Sequence, residues 1–179
     1  MKRTLQWLQP LHRIDTRLFL WLNRVMTDRR SLHYLALALS HSGSGVPYAV
    51  IGLLCLWLEP LHGQAFATTL ACGYAIERSL YWLLKNSIRR RRPGEAIAGW
   101  QMRIVPSDRF SFPSGHTSGA FLFLYAIGLH YPALYPWLMP RAIAVGCSRV
   151  LLGVHFPGDI VAGSVMGTVC AWLACLWVS

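Results

Sequence analysis

Residues 148–159 read Ser148-Arg149-Val-Leu-Leu-Gly-Val-His155-Phe-Pro157-Gly158-Asp159 and place an arginine, a histidine and a carboxylate between two strongly apolar segments. An ionisable side chain at the edge of a segment apolar enough to span a membrane costs free energy, so we interpret these three residues first as functional. Pro157-Gly158 is a turn signal, so we expect His155 to end one helix and Asp159 to start the next. The alternative interpretation is a plain helix–turn–helix corner in which Asp159 serves as the N-cap.

The composition predicts a membrane protein. Of the 179 residues, 54% are hydrophobic and 13% are charged, and the mean hydropathy is +0.38. That balance is typical of a multi-span membrane protein rather than of an ordinary soluble domain. The formal charge of +10 lies beside apolar segments, which favours anionic lipid head groups over nucleic acid as the partner. The length predicts one domain, residues 1–179.

The cysteines predict no metal site, and the N-terminal residues predict no cleavable leader peptide. All five cysteines fall inside apolar stretches without metal-ligand spacing, so we interpret them as packing residues and expect no metal site. Charged side chains interrupt the first sixteen residues, so no cleavable leader peptide is expected.

Apolar segments predict an all-α polytopic membrane bundle of about five transmembrane helices. A bilayer needs roughly 20 apolar residues per helix. The spans are placed at residues 46–58 (starting a few residues earlier), 65–84, 113–129, 141–153 and 160–178. Residues 1–31 form a basic amphipathic segment that predicts interfacial helices, and residues 32–179 form the bundle. Residues 59–63 are predicted as a short loop. Residues 85–113 are predicted as a polar active-site loop, because a loop of that length in a compact protein is usually functional.

Alternating span direction brings three polar clusters to one membrane face. The second span ends at Lys85, the third begins at Ser114, the fourth ends near Arg149 and His155, and the fifth begins at Asp159. We therefore expect these side chains to gather in one anion pocket at the rim of the bilayer.

The first cluster is a basic run at the end of the second span. Lys85 and Arg92 are candidate phosphate ligands, because a guanidinium supplies a fork that matches phosphate oxygens. Basic runs flank many spans, so Arg89, Arg90 and Arg91 are interpreted as plain interface cations.

The second cluster is Pro113-Ser114-Gly115-His116 at the start of the third span. A helix N-terminus offers unpaired N–H groups to an oxyanion, Gly115 permits close approach, and the Ser114 hydroxyl adds a donor. The alternative is an ordinary helix start with Pro113 before a capping serine. That alternative leaves His116 unexplained, because a histidine that enters a span is expensive.

The third cluster holds Arg149, His155 and Asp159. A carboxylate on one imidazole nitrogen fixes the tautomer and leaves the other nitrogen as a nucleophile. Arg149 can neutralise the phosphate under attack.

Together the clusters resemble the three signature motifs of the type 2 phosphatidic acid phosphatase (PAP2) superfamily: Lys-x6-Arg-Pro, Pro-Ser-Gly-His and Ser-Arg-x5-His-x3-Asp. The resemblance implies a PAP2/haloperoxidase-like helical core and a hydrolase that needs no metal or cofactor. It implies that His155 attacks phosphorus to give a phosphohistidine, that Asp159 orients it, and that His116 protonates the leaving oxygen. The implied phosphate ligands are Lys85, Arg92, Ser114, Gly115 and Arg149.

The resemblance also implies a place and a substrate class. Family members of this kind are multi-pass proteins of the bacterial inner membrane, commonly with six spans where we count five. Undecaprenyl diphosphate, phosphatidic acid and phosphatidylglycerophosphate all fit as lipid phosphate substrates. The charge bias favours a cytoplasmic active-site face, whereas most bacterial relatives are thought to act on the outer face. The sequence leaves the oligomeric state open.

Three alternatives stay open from the sequence. A phosphotransferase that moves phosphate from a lipid diphosphate would use the same residues. A soluble relative, such as an acid phosphatase or vanadium haloperoxidase, shares the motifs, but the spans argue against it. A non-catalytic membrane protein that merely binds anionic lipid would release no phosphate.

Overall fold

The computed structural model describes residues 9–24 and 29–178, with side chains from residue 12 onward. All regular structure in those ranges is helical, which confirms the predicted all-α class. The helices are α1 (Gln9–Arg24), α2 (Arg30–Ser42), α3 (Gly45–Leu58), α4 (Pro60–Ile88), α5 (Pro93–Ala96), α6 (Gly115–His130), a 3₁₀ turn (Pro132–Leu134), α7 (Tyr135–Leu151) and α8 (Pro157–Val178).

Helix α6 lies at the centre of the bundle. It packs against α4, α7 and α8, and it is apolar and buried on several sides, as expected of a central helix. A Cβ atom on Gly167 of α8 would lie 2.0 Å from the carbonyl oxygen of Ser118. Only glycine therefore permits this approach of the two helix backbones. The tight α6–α8 contact brings the start of α6 beside the start of α8.

Five helices overlap the five predicted spans in the sequence: α3, α4, α6, α7 and α8. By length and hydropathy, α8 can cross a bilayer on its own. Helices α2 and α3 pass the same test as a pair, but they are bent by 50° at the short break between them. The described residues support an apolar bundle, and the count of five spans stays a prediction.

The loop predicted at residues 59–63 is wrong. Glu59 alone separates α3 from α4, and Pro60 begins the new helix. Proline suits the first helical position because its missing N–H would have no partner there. An added Cβ on Gly63 would lie 2.1 Å from the carbonyl oxygen of Cys55, so glycine lets the two helices turn tightly without a loop.

The predicted start of the fourth span at residue 141 is also wrong. Helix α7 begins at Tyr135 and includes Pro136 and Pro140, although proline is a common turn signal in sequences. Pro136 lies in the first turn, where no intrahelical hydrogen bond is lost, whereas Pro140 removes one bond from the helix interior.

Helix α1 confirms the helical spacing predicted in the N-terminal segment. Its position at a membrane interface stays a prediction, and residues 1–8 and 25–28 of the predicted segment lie outside the described residues. The ring of Phe19 lies 4.9 Å from that of Trp100 and 5.4 Å from that of Phe156, and Phe19 is fully buried. Helix α1 is therefore docked on the corner between α7 and α8.

Candidate active site

A cavity of about 250 Å³ lies where the predicted polar clusters meet. Its lining includes His116 on α6 and His155 in the turn before α8, together with Arg92 and Arg149. The other lining residues come from the α2–α3 break, α4, the 97–114 loop and α6: Gly43, Ser44, Gly45, Tyr74, Arg78, Tyr81, Ser107, Asp108, Gly115 and Gly119. Distant parts of the chain thus share one chamber that carries two imidazoles and several cations.

Lys85 and Arg92 converge on one carboxylate, that of Asp108. The Lys85 Nζ and the Arg92 Nη2 lie 2.9 and 2.8 Å from the same Oδ1 atom, and both cationic side chains are buried. Burial would raise the pKa of Asp108, but hydrogen bonds from Lys85 and Tyr81 and the charges of Lys85 and Arg92 lower it to about 2. The sequence analysis did not single out this aspartate.

His155 lies between Arg92 and the Asp159 carboxylate. The Nη1 of Arg92 donates to the carbonyl oxygen of Val154 at 2.6 Å and lies 3.4 Å from the Nε2 of His155. Burial lowers the pKa of His155 to about 4, against the opposing effect of Asp159 and with help from the charges of Arg92 and Arg149. The imidazole is therefore neutral at pH 7, as a nucleophile must be.

The Nδ1 of His155 faces Asp159 at 3.7 Å, which is longer than a hydrogen bond. Asp159 is fully buried, and its Oδ2 accepts hydrogen bonds from the Phe156 N–H at 2.8 Å and from the Ser111 hydroxyl. The carboxylate is thus fixed by donors on the side that faces the imidazole.

The predicted helix boundaries at this corner need correction. Helix α7 ends at Leu151, so His155 lies in the connecting turn rather than at the end of a helix. Asp159 is the third residue of α8 rather than its N-cap. Its carboxylate nevertheless accepts the N–H of Phe156, the residue before the helix, which is one half of a capping box.

The start of α6 follows the prediction, with Ser114 immediately before the first helical residue. Gly115 and His116 line the cavity. The Ser114 hydroxyl lies 2.9 Å from the Thr117 hydroxyl, and the Ser114 N–H donates to the Asp159 carbonyl oxygen at 3.1 Å. In this arrangement Ser114 joins α6 to α8 and does not line the cavity.

Arg149 and Arg78 add positive charge to the cavity wall. The Nη1 of Arg149 donates to the hydroxyl of Ser40 on α2, and its buried Nε has no partner among the described residues. Glu77 is fully buried, and its carboxylate pairs with the Nε of Arg78 at 2.5 Å.

Arg90 contradicts its interpretation as a plain interface cation. Its Nη1 lies 2.8 Å from the Oδ1 of Asp159, whereas its neighbours Arg89 and Arg91 are exposed as expected. Arg90, Asp108 and Ser111 were missed because their partners are distant in the chain. Their position in the loop between two clusters that were expected to meet is the signal that could have identified them as site residues.

Comparisons with known proteins identify the family of this chain. The family model described as the PAP2 superfamily matches residues 65–179. The decaprenylphosphoryl-5-phosphoribose phosphatase of Mycobacterium tuberculosis (strain ATCC 25618 / H37Rv) is 30% identical over 148 residues, which cover 79% of this chain and 78% of the relative. The lipid A 1-phosphatase of Rhizobium johnstonii is 35% identical over 98 residues, which cover 52% of this chain and 39% of that protein.

Two solved structures share the fold. The crystal structure of Aquifex aeolicus LpxE superposes with a TM-score of 0.74 at 24% identity, covering 90% of this chain and 94% of that one. The transmembrane PAP2 type phosphatidylglycerolphosphate phosphatase from Bacillus subtilis gives a TM-score of 0.73 at 25% identity, covering 94% and 86%. The family model covers more than half of the chain, and the three motif clusters surround one cavity. This chain therefore belongs to the PAP2 superfamily and is a phosphatase of that family.

Proposed function

We propose that the protein is an integral-membrane lipid phosphatase that hydrolyses a phosphomonoester or diphosphate of a membrane lipid through a phosphohistidine on His155. The observation that carries the proposal is the shared cavity of His116, His155, Arg92 and Arg149. Two imidazoles within one cationic chamber supply a nucleophile, a proton donor and charge stabilisation for the transferred phosphoryl group.

In the first step the Nε2 of His155 forms a bond to phosphorus while the bond from phosphorus to the lipid oxygen breaks. Nε2 is the reactive nitrogen because Nδ1 faces Asp159, whose negative charge stabilises the imidazolium that forms. His116 gives a proton to the leaving oxygen. In the second step His116 takes a proton from water, and the water oxygen forms a bond to phosphorus while the bond from phosphorus to Nε2 breaks. This step releases phosphate and restores the neutral His155.

The cations hold the phosphoryl oxygens in both steps. Arg92 and Arg149 line the cavity, and Lys85 lies 2.9 Å from the cavity-lining Asp108. Gly115, the first residue of α6, also lines it, where a helix N-terminus favours an anion. The fixed charges of the cations meet the negative charge that spreads over the phosphoryl oxygens, which is the part a metal ion plays in other phosphatases. We therefore propose a mechanism without metal or cofactor, in which Ser114 holds α6 in place.

The size of the cavity bears on the substrate. A volume of about 250 Å³ is larger than one phosphoryl group needs and too small for a whole lipid, so we expect the phosphate and part of the head group inside it and the lipid chains outside. The names of the relatives describe phosphates on the head groups of lipids, including a decaprenyl-linked phosphoribose and lipid A. We add such sugar phosphates to the candidates undecaprenyl diphosphate, phosphatidic acid and phosphatidylglycerophosphate.

The test is phosphate release by the purified full-length protein in detergent micelles, measured on each of these lipids. We expect turnover of at least one lipid, and none by the His155→Ala variant. Absence of release from every lipid would refute the proposal and favour a protein that only binds anionic lipid. A parallel reaction with an added lipid acceptor separates hydrolysis from phosphotransfer.

We place the protein in the bacterial inner membrane as a multi-pass protein, with α1 on the active-site face. The contacts of α1 with the α7–α8 corner support this placement. A cysteine introduced near Thr16 and labelled in intact cells and in inverted vesicles tests which face that is. Labelling only in inverted vesicles would assign the active site to the cytoplasm.

A further inference from the structure

Arg90 joins two carboxylates that are far apart in the chain. Its Nη1 lies 2.8 Å from the Oδ1 of Asp159 on α8, and its Nη2 lies 2.6 Å from the Oδ2 of Asp15 on α1. The guanidinium also lies 4.4 Å from the centre of the Phe156 ring. Each side of the planar guanidinium fork therefore has a partner.

Burial makes these ion pairs stronger than ordinary surface pairs. The side chains of Arg90, Asp15 and Asp159 are 19%, 12% and 0% exposed. Exposed ion pairs contribute little because water and salt screen them, whereas buried pairs are screened much less. Loss of Arg90 would leave the Asp159 carboxylate buried without its cation, which is strongly unfavourable.

Asp15 holds the same corner through a second contact. Its Oδ1 accepts the backbone N–H of Gly158 at 2.8 Å, so this one carboxylate binds both Arg90 and the residue before Asp159. A Cβ at position 158 would lie 2.8 Å from the Asp15 carboxylate, so glycine leaves room for the contact. Helix α1 is thereby tied to the first turn of α8.

The two oxygens of Asp159 have separate partners. Oδ1 accepts from Arg90, while Oδ2 accepts from the Phe156 N–H and Ser111 and faces His155. Arg90 therefore fixes the rotation of the carboxylate that presents Oδ2 to the imidazole.

We propose that Arg90 is a positioning residue for Asp159, and that Asp15 holds Arg90 in place so that α1 is a structural part of the active site. The inference rests on the proposed function, because the reaction role of Asp159 is part of that function. It adds a specific role for the N-terminal helix, which lies outside the three motifs.

The expected signature is a loss of kcat with little change in KM. Arg90→Ala leaves the cations around the phosphate in place, so KM stays within about twofold, while kcat falls about 10- to 100-fold, as is usual when a supporting partner is lost. Arg90→Lys keeps the charge without the fork and restores part of kcat. Asp15→Asn lowers kcat less than Arg90→Ala, because Asp15 acts on Asp159 through Arg90 and Gly158.

Arg91→Ala is the matched control, since Arg91 is an exposed neighbour in the same basic run. We expect its kcat to equal that of the parent protein. Parent-like kcat in Arg90→Ala, or a rise in KM that accounts for the whole loss of kcat/KM, would overturn the inference. Absence of turnover by the parent protein on every lipid would instead refute the proposed function.

Hydrogen exchange supplies a measurement that does not depend on turnover. Arg90→Ala and Asp15→Asn should increase amide exchange in α1 relative to the parent protein and to Arg91→Ala, because they release the helix from α8. Unchanged protection of α1 in both variants would overturn the proposed docking role. If the Arg90→Ala variant does not fold, amide exchange in Arg90→Lys and Asp15→Asn is compared with that in the parent protein and in Arg91→Ala.

Discussion

Asp108 occupies the place where we expect an oxygen of the substrate phosphate. One carboxylate oxygen of Asp108 contacts both Lys85 and Arg92. A phosphate that binds these cations must displace the carboxylate. The Asp108→Asn variant keeps the shape of the side chain and removes its charge, so we expect phosphate to bind more tightly.

The magnitude follows from the two contacts. A hydrogen bond to a charged group contributes about 1.5–3 kcal/mol when it is well shielded. The Asp108 side chain is 34% exposed, so solvent screening reduces each contact to about 1 kcal/mol. Two contacts amount to about 2 kcal/mol, which corresponds to roughly a 30-fold lower inhibition constant for inorganic phosphate. The KM of Asp108→Asn for the lipid should also fall.

The assay is inhibition of lipid turnover by inorganic phosphate, with Arg109→Ala as an exposed control in the same loop. Tighter inhibition in Asp108→Asn alone supports competition between the carboxylate and the substrate. Weaker inhibition would refute this reasoning, because it would mean that Asp108 holds Lys85 and Arg92 in their binding positions.

Four further outcomes test the mechanism and the state of His155. His155→Ala and Asp159→Asn should each lower kcat by at least about 100-fold in micelles, the scale reported for loss of a key group, and a parent-like rate in either would remove its assigned role. Titration of the His155 ring by NMR, with the signal assigned by its loss in His155→Asn, should show protonation near pH 4, the lowered pKa of this buried imidazole; protonation near pH 6.5 would contradict it. Because the unfolded chain takes up that proton first, the free energy of unfolding should fall as the pH drops from 6.5 toward 4. Chelator should leave the rate unchanged, and dependence on added Mg²⁺ would overturn the metal-free mechanism.

The motif spacing predicted most of the site, because each motif combines a helix end with a polar side chain. Span ends can be recognised from hydropathy, and alternating spans bring them to the same face. That is why Lys85, Arg92, His116 and His155 could be grouped before any coordinates. The same reasoning located the start of α6 to within two residues.

The remaining features depend on contacts that hydropathy does not record. Arg90 resembles its exposed neighbours in sequence, and only the folded α1 reveals that it pairs with Asp15. The start of α7 was misplaced because Pro136 and Pro140 are turn signals in most contexts. Proline is tolerated in the first turn of a helix, as at Pro136, whereas Pro140 lies inside α7 at the loss of one backbone hydrogen bond.

The break between α2 and α3 forms one wall of the cavity from main chain. Gly43, Ser44 and Gly45 line it, and a Cβ on Gly43 would lie 2.4 Å from a methyl group of Val145. A side chain at position 43 therefore disturbs the packing against α7, whereas a Cβ at position 45 would meet no atom within 4 Å. Attempts to retarget the enzyme to other head groups by directed evolution should find their productive substitutions at Gly45, Tyr74 and Ser107 rather than at Gly43.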